Sequence, residues 1–370
     1  MGTDIWTDAE ACFSPDYATA RNRFLAACVQ RGAPPVAYPN PNTGPGGEEL
    51  AVDVAWFGPP EAGRILVLQS ATHGVEGFTG SAAQLDWLTE DGPSRLPGGV
   101  AALLIHAINP HGFAWLRRVT EEGVDLNRNW VDFDQPLPEN PGYAELGDAF
   151  LPTELSGPIF HAADDKLKAW RAAHGERAFE GARGGGQHTH PTGLCFGGLE
   201  PTWSRRTLET IIADHGLAER GLMAVIDFHT GLGRYGYGEP ICGHRPDTPG
   251  QARARAWYGD SLGEPLLGTS ASLPIVGLTQ YGWDREVGDR HVFIALEFGT
   301  FSTDSGRANL RDDHWLHAYG AVDWGLDETR RIKAALRKHF YPDTDDWREM
   351  VLFRSRQVIK QALAGLVSEG

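Results

Sequence analysis

Residues 70–81 read SATHGVEGFTGS and join a predicted strand to a predicted helix. The apolar run Ile65–Leu68 before them is typical of a buried strand, and the apolar residues after them recur at a helical spacing. Within the stretch, His73 and Glu76 form an H-x-x-E pair. An imidazole and a carboxylate three residues apart can bind one Zn²⁺, since zinc accepts nitrogen and oxygen ligands. A polar loop between a strand and a helix could contain the same pair, so a metal site requires a third ligand and a base elsewhere.

Three further apolar runs predict buried strands, and each has a polar residue at or near its carboxyl end. In chain order they are Val100–Ile108 followed by Asn109, Leu222–Phe228 followed by His229, and His291–Phe298, which contains Glu297. The ligand site of an open α/β sheet lies outside the carboxyl ends of its strands. We therefore expect these three polar residues to lie near His73, in one site.

Strands of this kind alternate with segments of helical periodicity, which predicts an α/β fold. We expect a single domain over residues 1–370, with a central mixed, mostly parallel sheet flanked by helices and connected by long loops. Leu50–Phe57 alternates well enough to predict another strand, which should pair beside Ile65–Leu68. Pro34–Gly47 and Trp130–Pro158 are rich in proline and in glycine or acidic residues, and predict loops.

The composition argues against several classes of partner. The 49 acidic residues outnumber the 33 basic ones and give a formal net charge of −16, spread along the chain. A nucleic acid or an anionic membrane surface would repel this charge, so neither is an expected partner. No run of 18 apolar residues is present, so no transmembrane helix is predicted. The four cysteines form no C-x-x-C motif and the N-terminus resembles no signal peptide, which favours a cytoplasmic protein.

Five motifs, in this order, resemble those of the zinc carboxypeptidase superfamily. They are H-x-x-E at His73–Glu76, N-P-x-G at Asn109–Gly112, GVDLNRN at Gly123–Asn129, His229 after a strand, and Glu297 late in a strand. The longer forms HGVEGFTGS and DFHTGLG resemble a bacterial branch of that superfamily, known mainly as predicted metallopeptidases of unknown function. The resemblance covers about Leu66 to Phe298, and it implies a carboxypeptidase-like α/β fold and a hydrolase activity.

The resemblance implies a role for each matching residue. His73, Glu76 and His229 would bind one Zn²⁺ per chain, and three protein ligands leave the open coordination position that a catalytic zinc requires. Glu297 would act as the general base, taking a proton from the attacking water and passing it to the leaving amine. Asp125 would orient the ring of the first histidine ligand.

The remaining implied roles concern the substrate. Asn127 and Arg128 match the pair that binds a substrate carboxylate, for which a guanidinium fork is suited. Arg117 or Arg118 would polarise the scissile carbonyl; we take Arg118 as the catalytic candidate and Arg117 as a substrate-binding one, and the motifs leave the choice open. Tyr281 is the candidate for the substrate-binding tyrosine of the superfamily.

These residues together predict a zinc-dependent hydrolase that cleaves an amide bond next to a free carboxylate, with a small peptide or an N-acyl amino acid as substrate. One alternative is an aspartoacylase-like N-acyl-amino-acid deacylase, because the short stretch VTEE (119–122) is closer to those enzymes. Another is a catalytically silent carboxylate-binding module, but neither Glu297 nor a metal ligand is lost. A third is a dinucleotide-dependent oxidoreductase, since Gly231–Gly236 matches G-x-G-x-x-G. However, no clear second strand with an acidic end follows about 20 residues later.

Overall fold

In the computed structural model, which describes residues 9–369, the strands form one seven-stranded mixed sheet. In chain order they are β1 (Val36–Thr43), β2 (Glu49–Phe57), β3 (Arg64–Gln69), β4 (Val100–His106), β5 (Leu222–Tyr235), β6 (Glu239–Ile241) and β7 (His291–Gly299). They hydrogen-bond in the order β1-β2-β4-β3-β5-β7-β6. The predicted α/β class is confirmed. The predicted domain also includes residues 1–8 and 370, which lie outside the described residues, and its extent stays a prediction.

The centre of the sheet is parallel and its two sides are antiparallel. The β4–β3, β3–β5 and β5–β7 pairings are parallel, whereas β1–β2, β2–β4 and β6–β7 are antiparallel. Strands β3 and β4 are buried along almost their whole length, as expected where helices cover both faces of a parallel sheet. The carboxyl ends of β3, β5 and β7 therefore lie side by side at one end of the sheet.

The predicted pairing of Leu50–Phe57 with Ile65–Leu68 is wrong. Strand β2 pairs with β4 instead, with Asp53 opposite His106, and β4 lies between β2 and β3. Both sides of β3 are occupied by β4 and β5, whose continuous apolar runs are most stable in the covered centre of the sheet. Nearness in sequence was a poor guide, because the crossover through residues 70–99 brings β4 back beside β3 in parallel.

Residues 36–43, predicted as part of a loop, form β1 at the edge of the sheet. This strand contains Pro39 and Pro41, which cannot donate a backbone hydrogen bond. An edge strand tolerates proline because one of its sides has no partner strand. Most of its side chains are exposed, so it lacks the apolar pattern by which the buried strands are predicted.

Twelve α-helices lie within the described residues. They are α1 (Tyr17–Gln30), α2 (Gly77–Thr89), α3 (Pro110–Ala114), α4 (Pro141–Phe150), α5 (Gly157–His174), α6 (Glu176–Gly184), α7 (Trp203–Asp214), α8 (Pro249–Tyr258), α9 (Thr279–Val287), α10 (Thr303–Ala318), α11 (Asp327–Phe340) and α12 (Asp345–Ser368). The loop predicted at Trp130–Pro158 is wrong in part, since it contains α4 and the start of α5. Asn140 caps α4 by accepting from the Tyr143 amide, and Pro141 occupies the first turn, so this proline begins a helix.

Helices cover the sheet on both faces and also border the carboxyl ends of its strands. Helices α1, α2, α8 and α12 pack on one face through a core that includes Phe78 and Trp347. Helices α7 and α9 pack on the other face through Ile211 and Trp283. A third core, which includes Phe150, joins α4, α5, α6, α10 and α11 beside a large cavity. None of the described helices has the length and apolar character needed to cross a membrane.

Candidate metal centre

His73, Glu76 and His229 lie together where β3 ends beside β5, which itself continues beyond His229 to Tyr235. His73 follows β3, Glu76 lies in a 3-10 turn over Gly74–Glu76, and His229 lies in β5. His73 Nδ1 is 2.9 Å from Glu76 Oε1 and 3.2 Å from His229 Nδ1, and His229 Nδ1 is 3.1 Å from Glu76 Oε2. All three side chains are buried. Because β3 and β5 are adjacent parallel strands, residues 153 positions apart in sequence meet here.

A carboxylate holds the outer nitrogen of each imidazole. His73 Nε2 is 3.2 Å from Asp125 Oδ1, and His229 Nε2 is 2.9 Å from Asp227 Oδ2. A carboxylate accepts the ring proton, so it favours the tautomer with the lone pair on Nδ1. Burial would lower the pKa of His229, but Asp227 and Glu76 raise it well above its ordinary value, so Nδ1 of this ring can donate to Glu76 while no metal is bound. Once both rings are neutral, as metal ligands must be, their Nδ1 lone pairs face each other across 3.2 Å, with the Glu76 carboxylate beside them. A cation placed between three buried, electron-rich groups stabilises all of them.

The donor set fits Zn²⁺. Zinc binds imidazole nitrogen and carboxylate oxygen at about 2.0–2.2 Å in a tetrahedral arrangement, which separates neighbouring ligand atoms by roughly 3.3 Å. The 3.2 Å between the Nδ1 atoms of His73 and His229 is close to this value. Each of these atoms also lies near one oxygen of Glu76, at 2.9 Å from Oε1 and 3.1 Å from Oε2 respectively. Two nitrogens and one carboxylate leave a fourth position for water or substrate, which is the composition of a catalytic zinc site.

Glu76 is held as a carboxylate at both oxygens. Oε1 accepts a hydrogen bond from Arg118 Nη1 at 3.1 Å, and Oε2 accepts one from the Thr230 backbone amide at 2.9 Å. Burial alone would raise the pKa of Glu76, but its contacts with His73 and His229 outweigh burial and keep this pKa below its ordinary value. Glu76 is therefore ionised at neutral pH, as a metal ligand must be.

Asp125 joins the first histidine to the GVDLNRN motif. Its Oδ1 also accepts from the Asn127 backbone amide at 3.0 Å, and its Oδ2 accepts from Arg118 Nε at 3.0 Å. Burial would raise the pKa of Asp125, but the charges of Arg118 and Arg128 lower it well below its ordinary value. Because the carboxylate is ionised and bonded at both oxygens, it can fix the orientation of the His73 ring.

Glu297 lies beside His229 in the β5–β7 pairing, where the two residues are direct register partners. Its Oε1 accepts from the Leu232 backbone amide at 3.0 Å, and no hydrogen bond from the described residues engages Oε2. Burial and the neighbouring charge of Glu76 raise the pKa of Glu297 to about 8. A cation at the three ligands would lower this pKa, because it stabilises the ionised form. A carboxylate in this position is suited to accept a proton.

The two arginines of segment 117–118 make different contacts. Arg118 lines the cavity, and its guanidinium binds Glu76 and Asp125. Arg117 is not among the described residues that line the cavity, and its Nε donates to Asp313 Oδ2 at 3.2 Å. The geometry therefore favours Arg118 over Arg117 for the carbonyl-polarising role, and it provides no substrate contact for Arg117.

Asn127 and Arg128 line the cavity, and most of their polar groups have partners within the protein. Asn127 Oδ1 accepts from the backbone amide and the hydroxyl of Thr279, at 2.8 and 2.9 Å. Its Nδ2 donates to none of the described residues. Arg128 donates through Nε and Nη2 to the Gly184 carbonyl and through Nη1 to the Asn127 carbonyl. Carbonyls carry no net charge, so these bonds orient the guanidinium without neutralising it, and an anionic ligand is favoured here.

The cavity has a volume of about 620 Å³, which is in the range of small-molecule sites. Tyr281 of α9 lies in its wall, but its hydroxyl donates to the Ile275 carbonyl at 3.0 Å, and its role as the substrate-binding tyrosine stays a prediction. The other residues lining the cavity include an apolar set and a charged set. The apolar set includes Ile241, Leu266, Leu273, Leu278, Phe293 and Ala295, and the charged set includes Glu176, Arg177, Glu180, Arg183 and Arg307.

Sequence reasoning missed two groups that bind site residues, the Asp227 carboxylate and the Gly184 carbonyl. Asp227 bonds His229 from two residues earlier in β5, and its carboxylate also accepts from the Thr72 hydroxyl at 2.8 and 2.9 Å. Alternate residues of a strand share one face, so the D-x-H pattern at this strand end could have indicated the pair. The Gly184 carbonyl that binds Arg128 lies 56 residues away in sequence and has no comparable local signal.

A second group of possible metal ligands is formed by His244, Asp284 and His291. His244 Nε2 accepts from the Phe293 backbone amide at 3.0 Å, so the proton of the neutral ring is on Nδ1. That nitrogen then has no lone pair for a metal. The hydrogen bonding of this group therefore does not suit zinc, in contrast to the cluster at His73.

The fold has similarities to several solved structures. One is bovine thrombin-activatable fibrinolysis inhibitor in complex with tick carboxypeptidase inhibitor, with a TM-score of 0.46, 10% identity and coverage of 97% of this chain and 98% of that one. A second is carboxypeptidase A from Helicoverpa armigera, with a TM-score of 0.45, 13% identity and coverage of 87% and 73%. A third is succinylglutamate desuccinylase from Chromobacterium violaceum, with a TM-score of 0.36, 14% identity and coverage of 87% and 74%.

No protein with a curated description matches the sequence. The sequence profile of one family matches residues 13–354, which is most of the chain. The chain therefore belongs to this family, described as protein of unknown function (DUF2817).

Proposed function

We propose that the protein is a zinc-dependent hydrolase that cleaves an amide bond next to a free carboxylate, in the manner of a metallocarboxypeptidase. One observation carries the proposal. Two imidazole Nδ1 atoms and the Glu76 carboxylate lie 2.9–3.2 Å apart, with Glu297 beside them in register. Once both imidazoles are neutral, as metal ligands must be, this arrangement leaves two lone pairs and a carboxylate facing one another, and a bound cation satisfies all three.

Zinc bound by this cluster would polarise the scissile carbonyl and lower the pKa of the attacking water. Glu297 would accept the proton of that water at Oε2, since Oε1 is occupied by the Leu232 amide. The same carboxyl would then donate the proton to the leaving nitrogen. Arg118 would stabilise the negative charge that develops on the carbonyl oxygen through Nη2, which neither Glu76 nor Asp125 engages.

The charge of the cavity wall supports a substrate with a free carboxylate. Arg128 presents a positive charge that is bonded only to backbone carbonyls, and Asn127 Nδ2 donates to none of the described residues. A carboxylate would accept hydrogen bonds from both groups. A cavity of about 620 Å³ accommodates a short peptide or an N-acyl amino acid. We propose one of these as the substrate, in a cytoplasmic protein that binds neither nucleic acid nor membrane.

Two alternatives remain. An aspartoacylase-like N-acyl-amino-acid deacylase is favoured by the short connection at 119–122 and by the charged side chains of α6 at the cavity, which suit a small polar acyl group. The alternative of another class is a catalytically silent module that binds carboxylates. Glu297 argues against the second alternative, because a module that only binds carboxylates needs no proton acceptor beside the metal ligands.

The test uses zinc-loaded protein and three substrate sets. These are N-blocked peptides with a free carboxyl terminus, the same peptides amidated, and N-acyl amino acids. We expect the free-carboxylate peptides to be hydrolysed at least about tenfold faster than the amidated ones, and Glu297→Gln to hydrolyse both far more slowly than wild type. Hydrolysis confined to N-acyl amino acids would support the deacylase instead. Binding of carboxylates without hydrolysis of any substrate would support the silent module and overturn the proposal.

A further inference from the structure

Lys333, Asp313 and Arg117 form a buried ion triad that is not part of the cavity wall. Lys333 Nζ is 2.6 Å from Asp313 Oδ1, and Arg117 Nε is 3.2 Å from Asp313 Oδ2. The Lys333 and Asp313 side chains are 0% and 1% exposed, so water does not screen their charges. Lys333 Nζ is also 2.9 Å from His317 Nε2. The reaction proposed for the cavity uses none of these residues.

Arg117 connects this triad to the backbone of the metal-binding loop. The Val75 amide donates to the Arg117 carbonyl at 2.8 Å, and the Gly74 amide donates to the Arg118 carbonyl at 3.2 Å. Gly74 packs so closely on Gly112 that a Cβ atom at position 74 would lie 2.0 Å from the Gly112 carbonyl carbon. The loop that carries two of the three ligands therefore packs directly on residues 112–118, with no space for a side chain between Gly74 and Gly112.

The side chain and the backbone of Arg117 thus have different partners. Its guanidinium pairs with Asp313, and its carbonyl binds the loop over residues 73–76. A buried charge whose partner is removed is strongly unfavourable, so the triad holds the arginine in one conformation. We propose that Asp313 and Lys333 are positioning residues, which act through Arg117 to hold the metal-binding loop in the geometry that binds zinc. The inference rests on the proposed function.

Helix α11 contacts the ligand cluster at a second point. Thr230, which follows His229, donates its hydroxyl to the Phe340 carbonyl at the end of α11, at 2.8 Å. Lys333 lies in the same helix, about two turns earlier. One helix is therefore connected to the metal-binding loop through the triad and to β5 through Thr230. A single helix bonded to both ligand-bearing segments can hold the ligands of the loop and the ligand of β5 at a fixed separation.

The test compares Asp313→Asn with the matched control Asp53→Asn. Asp53 is equally buried and is 2.7 Å from Arg21 Nε. The side-chain hydrogen bonds of Arg21 and Asp53 within the described residues involve each other and the Glu49 carbonyl, not the metal-binding loop. Both substitutions remove a buried carboxylate that pairs with an arginine, so both should lower the stability of the fold. Only Asp313→Asn should weaken zinc binding, by about 10–100-fold in competition with a chelator. Only this variant should accelerate hydrogen exchange at the Gly74 and Val75 amides.

Arg117→Gln and Arg117→Lys provide an independent comparison, which also holds if Asp313→Asn does not fold. Lysine keeps a positive charge beside Asp313, so it should recover part of the zinc affinity that glutamine loses. In hydrolysis assays at limiting zinc, kcat should fall in Arg117→Gln while KM changes little, because the cavity residues are unaltered.

Equal zinc affinity and equal exchange at residues 74–75 in Asp313→Asn and Asp53→Asn would overturn the positioning role. Wild-type zinc affinity in Arg117→Gln would overturn it as well. The exchange measurement needs no zinc, so it separates this inference from the proposed function. Faster exchange at residues 74–75 in Asp313→Asn, in a protein that binds no zinc, would support the anchoring of the loop and overturn the zinc hydrolase.

Discussion

His229 and Glu297 are direct register partners in the parallel β5–β7 pairing, so an imidazole and a carboxylate lie side by side on two adjacent strands. The register is specific, because a slip of one residue would turn Glu297 to the opposite face of the sheet. Glu297 Oε1 is further fixed by the Leu232 amide at 3.0 Å. The position of the candidate proton acceptor relative to the metal ligands is therefore set by strand pairing.

His229→Ala removes the ligand contributed by β5, and we expect zinc binding to be lost or greatly weakened. The remaining two ligands, His73 and Glu76, come from one loop and do not enclose the metal. Metal analysis after dialysis measures the stoichiometry, with His106→Ala as control, since His106 is a buried histidine that bonds Ser81. Unchanged stoichiometry and affinity in His229→Ala would show that this residue is not a ligand.

Glu297→Gln keeps the shape of the side chain and its acceptor for the Leu232 amide, but it cannot accept a proton. Zinc should remain bound, and kcat on a hydrolysed substrate should fall by roughly 10²–10⁴-fold, as is usual for the loss of general base catalysis. Parallel measurement of zinc content and kcat tests this. A variant that keeps nearly full kcat would mean that Glu297 has a structural role only.

Asp227→Asn tests the tautomer argument for His229. An amide nitrogen in place of the accepting oxygen disfavours a proton on Nε2 of His229. The ring then favours the tautomer protonated at Nδ1, which has no lone pair there for a metal. We expect zinc affinity to fall by about 10–100-fold, as measured by chelator competition. Thr72→Val, which removes only the hydroxyl bonded to Asp227, should have a smaller effect. Equal affinity in Asp227→Asn and wild type would contradict the tautomer argument.

Arg128→Ala should reduce kcat/KM on free-carboxylate substrates by roughly tenfold or more, and on amidated substrates little. The reason is the loss of a charge-assisted contact that only the free carboxylate makes. Arg128→Lys should restore little, because an ammonium cannot reproduce the planar fork. Arg128 also binds the Gly184 carbonyl, so equal losses on both substrates would mean that it holds α6 in place rather than the substrate.

The metal-free protein should lose stability with rising pH because of Glu297. Its pKa in the folded state is about 8 rather than 4.5, so the folded state keeps a proton that the unfolded state releases between these values. The stabilisation from this group is therefore complete below about pH 4.5 and declines as pH rises towards 8. Urea unfolding of metal-free wild type and Glu297→Gln from about pH 5 to pH 8 measures this contribution to the free energy of unfolding, since glutamine does not titrate. A difference between the two proteins that does not change with pH would contradict the prediction.

The sequence by itself determined the buried strands and the residues at their ends. Continuous apolar runs predict β3, β4, β5 and β7 because a strand covered on both faces needs apolar side chains throughout. The motifs at these strand ends contain the three candidate ligands and Glu297, and the fold brings these four residues together. Asn109, expected in the same site, instead caps α3 by accepting from the Gly112 amide and is not among the described residues that line the cavity. Both signals are local, so a single chain carries them without further information.

Only the tertiary structure decided which segments and side chains meet. In the folded chain, β4 lies between β2 and β3, and Pro39 and Pro41 belong to an edge strand. Arg118 lines the cavity, whereas Arg117 is not among the described residues that line it. Arg128 is paired with Gly184. Each outcome depends on which distant element occupies a neighbouring position, and that is set by packing between segments many residues apart. Local periodicity and motif spacing therefore do not predict which distant segments come into contact.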